Sequence, residues 1–256
     1  MRRSLIAGNW KSNCDLVMGK NLASSIVKSI KGQTLNCQIA IFPPFTCLNS
    51  VSNILKNSRI SLGAQDCSEY NGGAYTGEVS AGMLLDVGCQ YVIVGHSERR
   101  IKHGETSKQI RIKTLNVFNS NLKPIVCVGE TEKDRDLGKE NDIVKKQITS
   151  SIPIDAGAKS LSNLIIAYEP VWAIGSGLTP TINEIERMFK EIKKNLKLHL
   201  KEKYVDDIKI LYGGSVNKKN SNEILSLKEV DGALIGGASL NAAEFSSICL
   251  EIYNKE

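Results

Sequence analysis

The segment Tyr91-Val92-Ile93-Val94-Gly95-His96-Ser97 shows the pattern that repeats along the chain, a short apolar run that ends in polar residues. Its four apolar residues are continuous, which is typical of strands buried on both faces, as in parallel sheets. Seven other segments have the same character. The eight predicted strands cover residues 5–11, 38–43, 60–66, 91–97, 124–130, 164–169, 208–215 and 233–239.

Segments with helical periodicity lie between these strands, and the clearest covers residues 182–200. One face carries only apolar side chains and the other carries lysines and glutamates, as expected for a helix packed on a sheet. The apolar face consists of Ile185, Met188, Phe189, Ile192, Leu196 and Leu200. The chain therefore alternates strand and helix, which predicts the α/β class.

The chain length fits eight such units, because 256 residues divided by eight gives 32 residues per unit, close to the roughly 30 of a βαβ step. No break in composition marks a linker, so we predict one domain over residues 1–256. A closed (β/α)8 barrel and an open doubly wound sheet both fit this order. The first strand leads into Gly8-Asn9-Trp10-Lys11 instead of a dinucleotide-binding G-x-G-x-x-G motif, which favours the TIM barrel.

Composition excludes several classes of protein. Hydrophobic residues make up 41% and charged residues 23%, values of a folded chain. No apolar run reaches about 18 residues, and only three apolar residues separate Arg3-Ser4 from Gly8, which is too few for a signal sequence. We therefore expect a cytoplasmic protein that does not enter a membrane.

Cysteine and histidine spacing predicts neither a disulfide framework nor a metal site. The seven cysteines are scattered without a C-x-x-C pair, and the three histidines have no ligand spacing. We expect no metal and no cofactor. The net charge of +6 is compatible with binding either anionic small molecules or nucleic acid, so the charge alone does not identify the ligand.

Polar residues gather where the predicted strands end, which is the edge of a barrel that carries chemistry. Taken singly, Lys11 fits a solvated edge residue, His96 a structural histidine and Glu169 half of an ion pair. His103 and His199 lie in charged or helical surroundings and are predicted at the surface. The residues at strand ends are Asn9, Lys11, His96, Ser97, Glu98, Glu130, Glu169, Ser215 and the pairs Gly213-Gly214 and Gly236-Gly237.

The two glycine pairs predict a phosphate cradle. They end consecutive strands, where unhindered backbone N–H groups can approach an oxyanion. The segments from Val216 and from Asn241 look helical, and helix N-termini favour anions. The alternative is that these glycines only allow tight turns.

The segment after the sixth strand has the composition of a lid. Apolar residues at its tip are bracketed by one proline and two glycines, so a mobile loop that covers bound phosphate and excludes water is one interpretation. A loop packed permanently on its neighbours is the other. The segment consists of Pro170, Val171, Trp172, Ala173, Ile174, Gly175, Ser176 and Gly177.

One carboxylate, one imidazole, one ammonium and an anion cradle are suited to proton transfer. A carboxylate can take a proton from carbon beside a carbonyl while neighbouring donors stabilise the enediolate oxygen. The sequence shows neither an activated Ser or Cys nor a pair of carboxylates at an obvious spacing, so the pattern does not favour a hydrolase.

At these residues the sequence resembles the triosephosphate isomerase family, with motifs in family order over nearly the whole chain. They are G-N-W-K at 8–11, G-A-Q-D at 63–66, G-A-Y-T-G-E at 73–78, V-G-H-S-E-R-R at 94–100, A-Y-E-P-V-W-A-I-G-S-G at 167–177, Y-G-G-S-V at 212–216 and L-I-G-G-A-S-L at 234–240.

The resemblance implies interconversion of glyceraldehyde 3-phosphate and dihydroxyacetone phosphate, a step of glycolysis and gluconeogenesis. It implies that Glu169 is the base, that His96 polarises the carbonyl, and that Lys11 and Asn9 bind substrate. Backbone N–H groups of Gly175, Ser215, Gly236 and Gly237 would hold the phosphate, Tyr212 and Ser215 would hold the lid shut, and supporting positions would be Ser97, Glu98, Cys127, Glu130 and Tyr212.

Residues 68–79 form a long loop without a regular pattern, which in a compact domain is commonly functional. The resemblance implies a homodimer in which this loop enters the partner, so that Thr76 braces Asn9 and Glu78 meets Arg99. The alternative is a surface loop without a partner. Ser12, Ser176 and residues 178–181 depart from the commoner family pattern, which leaves lid kinetics open.

Three other functions are possible for a chain with this pattern. Another phosphate-binding barrel enzyme, such as a Schiff-base aldolase, would use Lys11 as nucleophile. A binding protein without activity would have a damaged site, yet every expected polar group is present. A nucleic-acid binder lacks a concentrated basic arm and an aromatic RNA-binding motif.

Overall fold

The computed structural model describes residues 3–174 and 178–252. Eight parallel strands follow one another around a closed ring, and β1 pairs with both β2 and β8. The α/β class and the (β/α)8 barrel are thus confirmed. The strands are β1 Ser4–Asn9, β2 Cys37–Phe42, β3 Ile60–Ala64, β4 Cys89–Val94, β5 Lys123–Val128, β6 Ile165–Tyr168, β7 Lys209–Tyr212 and β8 Gly232–Ile235.

Helices follow each strand on the outside of the ring. Short 3₁₀ turns at Phe45–Cys47, Val171–Ala173 and Gly237–Leu240 interrupt the loops. The α-helices are α1 Leu16–Ile30, α2 Leu48–Leu55, α3 Ala81–Asp86, α4 Ser97–Lys102, α5 Ser107–Asn119, α6 Glu132–Asp136, α7 Glu140–Ser151, α8 Ala158–Leu161, α9 Ile182–Lys197, α10 Glu202–Val205, α11 Ser221–Ser226 and α12 Ala242–Leu250.

The core has two parts, because successive strand residues point to opposite sides of the barrel wall. On β1, Leu5 and Ala7 belong to the apolar cluster that fills the barrel, while Ile6 belongs to the cluster between strands and helices. Side chains on both sides of the barrel wall are buried, which explains the continuous apolar runs in the strand sequences. Gly63 makes room inside the barrel, because a Cβ there would lie 2.2 Å from the Phe42 ring.

Helix α9 has the predicted amphipathic face and a clear start. The Thr181 hydroxyl accepts from the Glu184 N–H, and the Glu184 carboxylate accepts from the Thr181 N–H at 2.8 Å. This reciprocal cap satisfies two donors that the first helical turn leaves open. The predicted end at residue 200 is wrong: α9 ends at Lys197, and Leu200 is buried from the following turn.

The predicted strands were also too long at their carboxyl ends. β2 and β6 end one residue earlier than predicted, and β8 ends four residues earlier, at Ile235. The extra residues, which are Pro43, Glu169 and the segment Gly236 to Ser239, leave the hydrogen-bonded ladder and turn into the loops. These early turns point the polar groups across the barrel mouth.

The described residues also test the expectations about membrane helices, cysteines and surface histidines. In residues 3–174 and 178–252, no helix is both long enough and apolar enough to cross a bilayer. All seven cysteines are free thiols, of which six are buried and Cys14 is half-buried. His103 and His199 are exposed, as predicted.

Candidate active site

A cleft of about 360 Å³ opens at the carboxyl ends of the strands. The described residues predicted to act on substrate all line it, namely Asn9, Lys11, His96, Glu169, Ser215, Gly236 and Gly237. Ile174 of the predicted lid and Gly213 and Gly214 of the predicted cradle line it as well. The rest of its wall, for which the sequence indicated no role, consists of Val216, Asn217, Leu234, Ala238 and Glu244.

Glu169 lies directly after β6, and its N–H donates to the Val128 carbonyl at 2.8 Å. Its side chain is 2% exposed, and Oε2 accepts the Ser97 N–H at 2.8 Å. The other oxygen, Oε1, lies 3.0 Å from His96 Nε2 without the alignment of a hydrogen bond, and no other described residue donates to it. One carboxylate oxygen is therefore anchored, and the other keeps its lone pairs available inside the cleft.

Two glycines let the ends of β5, β6 and β7 converge on this carboxylate. A Cβ at Gly129 would lie 1.7 Å from the Glu169 carbonyl oxygen. A Cβ at Gly213 would lie 2.9 Å from Glu169 Cγ and 3.1 Å from the Tyr168 carbonyl oxygen. These positions need glycine because the backbone and the carboxylate pass too close for a side chain.

His96 is buried, and its two ring nitrogens have different roles. Nδ1 accepts the Glu98 N–H at 3.2 Å. An imidazolium would carry a proton on Nδ1 and oppose this N–H, so the contact selects the neutral ring with its proton on Nε2. Nε2 faces Glu169, and the ring therefore presents a hydrogen-bond donor to the cleft.

Arg100 supports this arrangement and was missed by the sequence analysis, which noted it only as part of a motif. Its guanidinium donates to the Gly95 carbonyl at 2.9 Å and to the Cys127 carbonyl at 3.0 Å. It also donates to the hydroxyls of Ser107 and Ser151. Arg100 therefore fixes the residue before the histidine to the end of β5.

Lys11 extends across the cleft mouth from a backbone of left-handed conformation, with φ of +52°. The Asn9 side chain accepts its N–H at 3.0 Å, and Gln65 donates to its carbonyl at 2.8 Å. Its ammonium donates to Glu98 at 2.7 Å. Burial opposes ionisation of Glu98, but the hydrogen bond and the charge of Lys11 hold the pKa of that carboxyl below its usual value.

The predicted anion cradle is built from loop backbone more than from helix ends. The helix expected from Val216 begins only at Ser221, because residues 217–220 form a turn in which Asn220 donates to the Ser215 carbonyl at 3.0 Å. After β8, a 3₁₀ turn precedes α12. A Cβ at Gly236 would lie 3.3 Å from Lys11 Cε, so the lysine side chain lies against the cradle.

The start of the predicted lid is anchored to a buried carboxylate. Glu130 Oε1 accepts from Trp172 Nε1 at 2.8 Å and from the Tyr168 hydroxyl at 3.1 Å. The Arg135 guanidinium lies over the Trp172 ring, 4.5 Å from its centroid. Glu130 is fully buried, and burial raises the pKa of its carboxyl.

Residues Pro170 to Ile174 are the described part of the predicted lid; Trp172 contacts Glu130, and Ile174 reaches the cleft wall. Gly175, Ser176 and Gly177 lie outside the described residues. Pro170, the predicted first hinge, follows Glu169 directly in the chain.

The remaining supporting positions lie beneath the cleft. The Tyr212 hydroxyl is buried next to Gly214: a Cβ on Gly214 would lie 2.3 Å from the hydroxyl oxygen. No described residue forms a hydrogen bond with this hydroxyl. Burial, together with the Glu169 charge, raises the pKa of the Cys127 thiol well above its usual value. Cys127 therefore stays neutral beside the carboxylate.

The predicted interface loop stands out from the barrel. Residues 71–78, with Thr76 and Glu78, are exposed, and the Tyr70 and Tyr75 rings stack with centroids 3.5 Å apart. Within this chain Arg99 pairs with Asp66 at 2.9 Å.

Comparison with known proteins places the chain in a well-populated group. A family model described as triosephosphate isomerase matches residues 4–252. Curated relatives of the same description include those of Chlorobium luteolum, 40% identical, and Hahella chejuensis, 43% identical, each over 97% of this chain and 98% of the relative. A crystal structure of triosephosphate isomerase from Bartonella henselae superposes with a TM-score of 0.87 at 37% identity, over 96% of this chain and 98% of that chain.

Proposed function

The chain belongs to the triosephosphate isomerase family and interconverts D-glyceraldehyde 3-phosphate and dihydroxyacetone phosphate, and we propose that Glu169 carries the proton between the two carbons. The reaction is a step of glycolysis and gluconeogenesis. The observation that supports this role is the buried carboxylate of Glu169, whose Oε1 accepts no hydrogen bond from the described residues and lies 3.0 Å from His96 Nε2.

The proton transfer uses both carboxylate oxygens differently. Oε1 takes the proton from the carbon beside the carbonyl, and the electrons of the broken C–H bond move to the carbonyl oxygen. The Ser97 N–H on Oε2 holds the carboxylate in place during this step. A proton also passes from the hydroxyl oxygen on the first carbon to the former carbonyl oxygen, and Glu169 returns its proton to the neighbouring carbon. The ketose thus becomes an aldose without a net change in composition.

His96 stabilises the oxygen on which charge develops. In the neutral ring the Nε2–H donates to this oxygen, and Nδ1 remains bound to the Glu98 N–H. The ammonium of Lys11 adds a fixed positive charge, and Asn9 orients the same part of the substrate. These donors are aligned before the reaction, so little reorganisation is needed as the enediolate forms.

The phosphate supplies binding energy at a distance from the reacting carbons. We assign its contacts to the backbone N–H groups of Ser215, Gly236 and Gly237, with Gly175 joining when the lid closes over the substrate. Tyr212 and Ser215 hold the closed lid. Closure excludes water and strengthens each charged contact inside.

We also propose a homodimer formed through residues 68–79, with Thr76 near the partner's active site and Glu78 paired with Arg99 across the interface. The exposed loop with its stacked tyrosines supports this assembly. Sedimentation velocity tests it: the wild type should sediment as a dimer, and Thr76→Arg should shift it to monomer. A monomeric wild type would contradict the proposal.

We propose that residues 1–256 form one domain, because the strands of a single barrel extend from Ser4 to Ile235. A cytoplasmic location is proposed from the seven free thiols, which suit a reducing compartment.

A coupled assay tests the activity. Dihydroxyacetone phosphate should be converted with EDTA present and without any added cofactor. Borohydride separates this mechanism from a Schiff-base aldolase, in which Lys11 would be trapped by reduction. We expect no adduct, because the Lys11 ammonium that donates to Glu98 has no lone pair free for a carbonyl.

A further inference from the structure

Glu244 places a carboxylate in the wall of an anion-binding cleft, where the mechanism has no use for it. The residue lies in the first turn of α12, is half-buried, and lines the cleft beside Asn217, Gly237 and Ala238. A negative charge beside a phosphate cradle weakens phosphate binding unless it serves another purpose.

A second, open groove lies on the other side of this wall. It has a volume of about 570 Å³, and it shares two of its lining residues, Asn217 and Glu244, with the cleft. The groove carries two lysines and several polar groups. Its lining consists of Asn217, Lys218, Lys219, Asn241, Ala243, Glu244 and Ser247.

The carboxylate is held between the loop after β7 and the start of α12. Glu244 Oε1 accepts the Lys218 N–H at 3.4 Å, and the Glu244 N–H donates to the Asn241 side chain at 3.0 Å. The Lys218 ammonium pairs with Glu251 at 3.8 Å, and its side chain is largely exposed. The groove that carries these two lysines therefore adjoins the cleft, with Glu244 at the boundary.

We propose that Glu244 determines specificity by restricting the cleft to monophosphate esters. Its charge repels an anion that would extend from the cradle towards Lys218 and Lys219, as pyrophosphate or a bisphosphorylated ligand would do. This inference rests on the proposed function of the cradle. The negative charge of Glu244 disfavours pyrophosphate-like ligands by repulsion, and it also lowers the affinity for monophosphate esters modestly.

Calorimetric titration with orthophosphate and with pyrophosphate, both in EDTA, tests the proposal. Glu244→Gln keeps the shape of the side chain and removes its charge. Removing one nearby charge should tighten orthophosphate binding by about 2–5-fold, and pyrophosphate binding by 10-fold or more, because the second phosphate lies closer to the wall. Glu251→Gln is the control, since Glu251 follows α12 directly, pairs with Lys218 and does not line the cleft.

The ratio of the two dissociation constants decides the outcome. It should change at least about twofold in Glu244→Gln, remain near the wild-type value in Glu251→Gln, and revert when Lys218→Met is added to Glu244→Gln. An unchanged ratio in Glu244→Gln, or an equal change in Glu251→Gln, would overturn the proposal. Glu244→Ala provides a second variant if the glutamine protein misfolds.

Calorimetry needs no turnover, so the two proposals can fail separately. A wild type that binds orthophosphate but does not isomerise triose phosphates would contradict the proposed function alone. An active wild type with an unchanged ratio in Glu244→Gln would contradict the role of Glu244 alone.

Discussion

Gly213→Ala should lower kcat by displacing the catalytic carboxylate. The backbone of Gly213 is not in the left-handed region, so alanine meets only a steric problem. Its Cβ would lie 2.9 Å from Glu169 Cγ, whereas ordinary contacts begin at 3.4 Å. The Tyr168 carbonyl lies 3.1 Å away on the backbone, so the Glu169 side chain has to give way.

The size of the effect follows from this displacement. Glu169 Cγ must move by about 0.5 Å, and a misplacement of about 1 Å costs on the order of 100-fold in rate. We therefore expect kcat to fall about tenfold, which corresponds to about 1.4 kcal/mol in the barrier. KM should change little, because the cradle groups at Gly236 and Gly237 are not displaced.

Steady-state kinetics in both directions measures the effect, with circular dichroism as a check on folding. Gly82→Ala is the matched control, because its Cβ would meet only the Ser80 hydroxyl, at 3.8 Å. This control should retain wild-type kcat. A Gly213→Ala enzyme with normal kcat, or with only a raised KM, would refute the argument that close packing sets the carboxylate position.

Three further predictions concern the lid anchor and the lysine. Trp172→Phe removes the hydrogen bond to Glu130 but keeps a ring beside Arg135, so urea unfolding should show a loss of about 1–3 kcal/mol; an unchanged midpoint would contradict this. Burial raises the pKa of Glu130 above its ordinary 4.5, so its contribution to stability is present below that pH and is lost as pH rises through the raised value. Glu130→Gln should therefore make the unfolding temperature less dependent on pH above 4.5, and an unaltered profile would argue against a buried charge. Lys11→Met should lower kcat/KM on the order of 100-fold with an unchanged circular dichroism spectrum, whereas unfolding would assign Lys11 a structural role.

The barrel could be predicted because both faces of each strand are dry, which leaves continuous apolar runs in the sequence. The residues at which the strands end could not be predicted, because nothing in the sequence marks the point at which the polar residues after each run leave the sheet. Asn9 lies in the first strand as predicted, but Lys11, which was also placed there, follows the end of β1 and has a positive φ.

The meeting of His96 and Glu169 could be predicted from topology alone, since parallel strands bring their carboxyl ends to one edge. The contributions of Arg100 and Glu244 could not. A charged residue in a helical segment gives no sign in the sequence that it binds barrel carbonyls or lines a cleft. Those contacts depend on how loops from distant strands pack, which no local spacing records.

The kinetics of Glu169→Asp test the central claim most directly, because this change withdraws the carboxylate by one methylene and keeps its charge. The claim that Glu169 moves the proton predicts that kcat falls on the order of 100-fold while KM stays within a fewfold of wild type. A variant that turns over at the wild-type rate, or that loses only affinity for substrate, would contradict it.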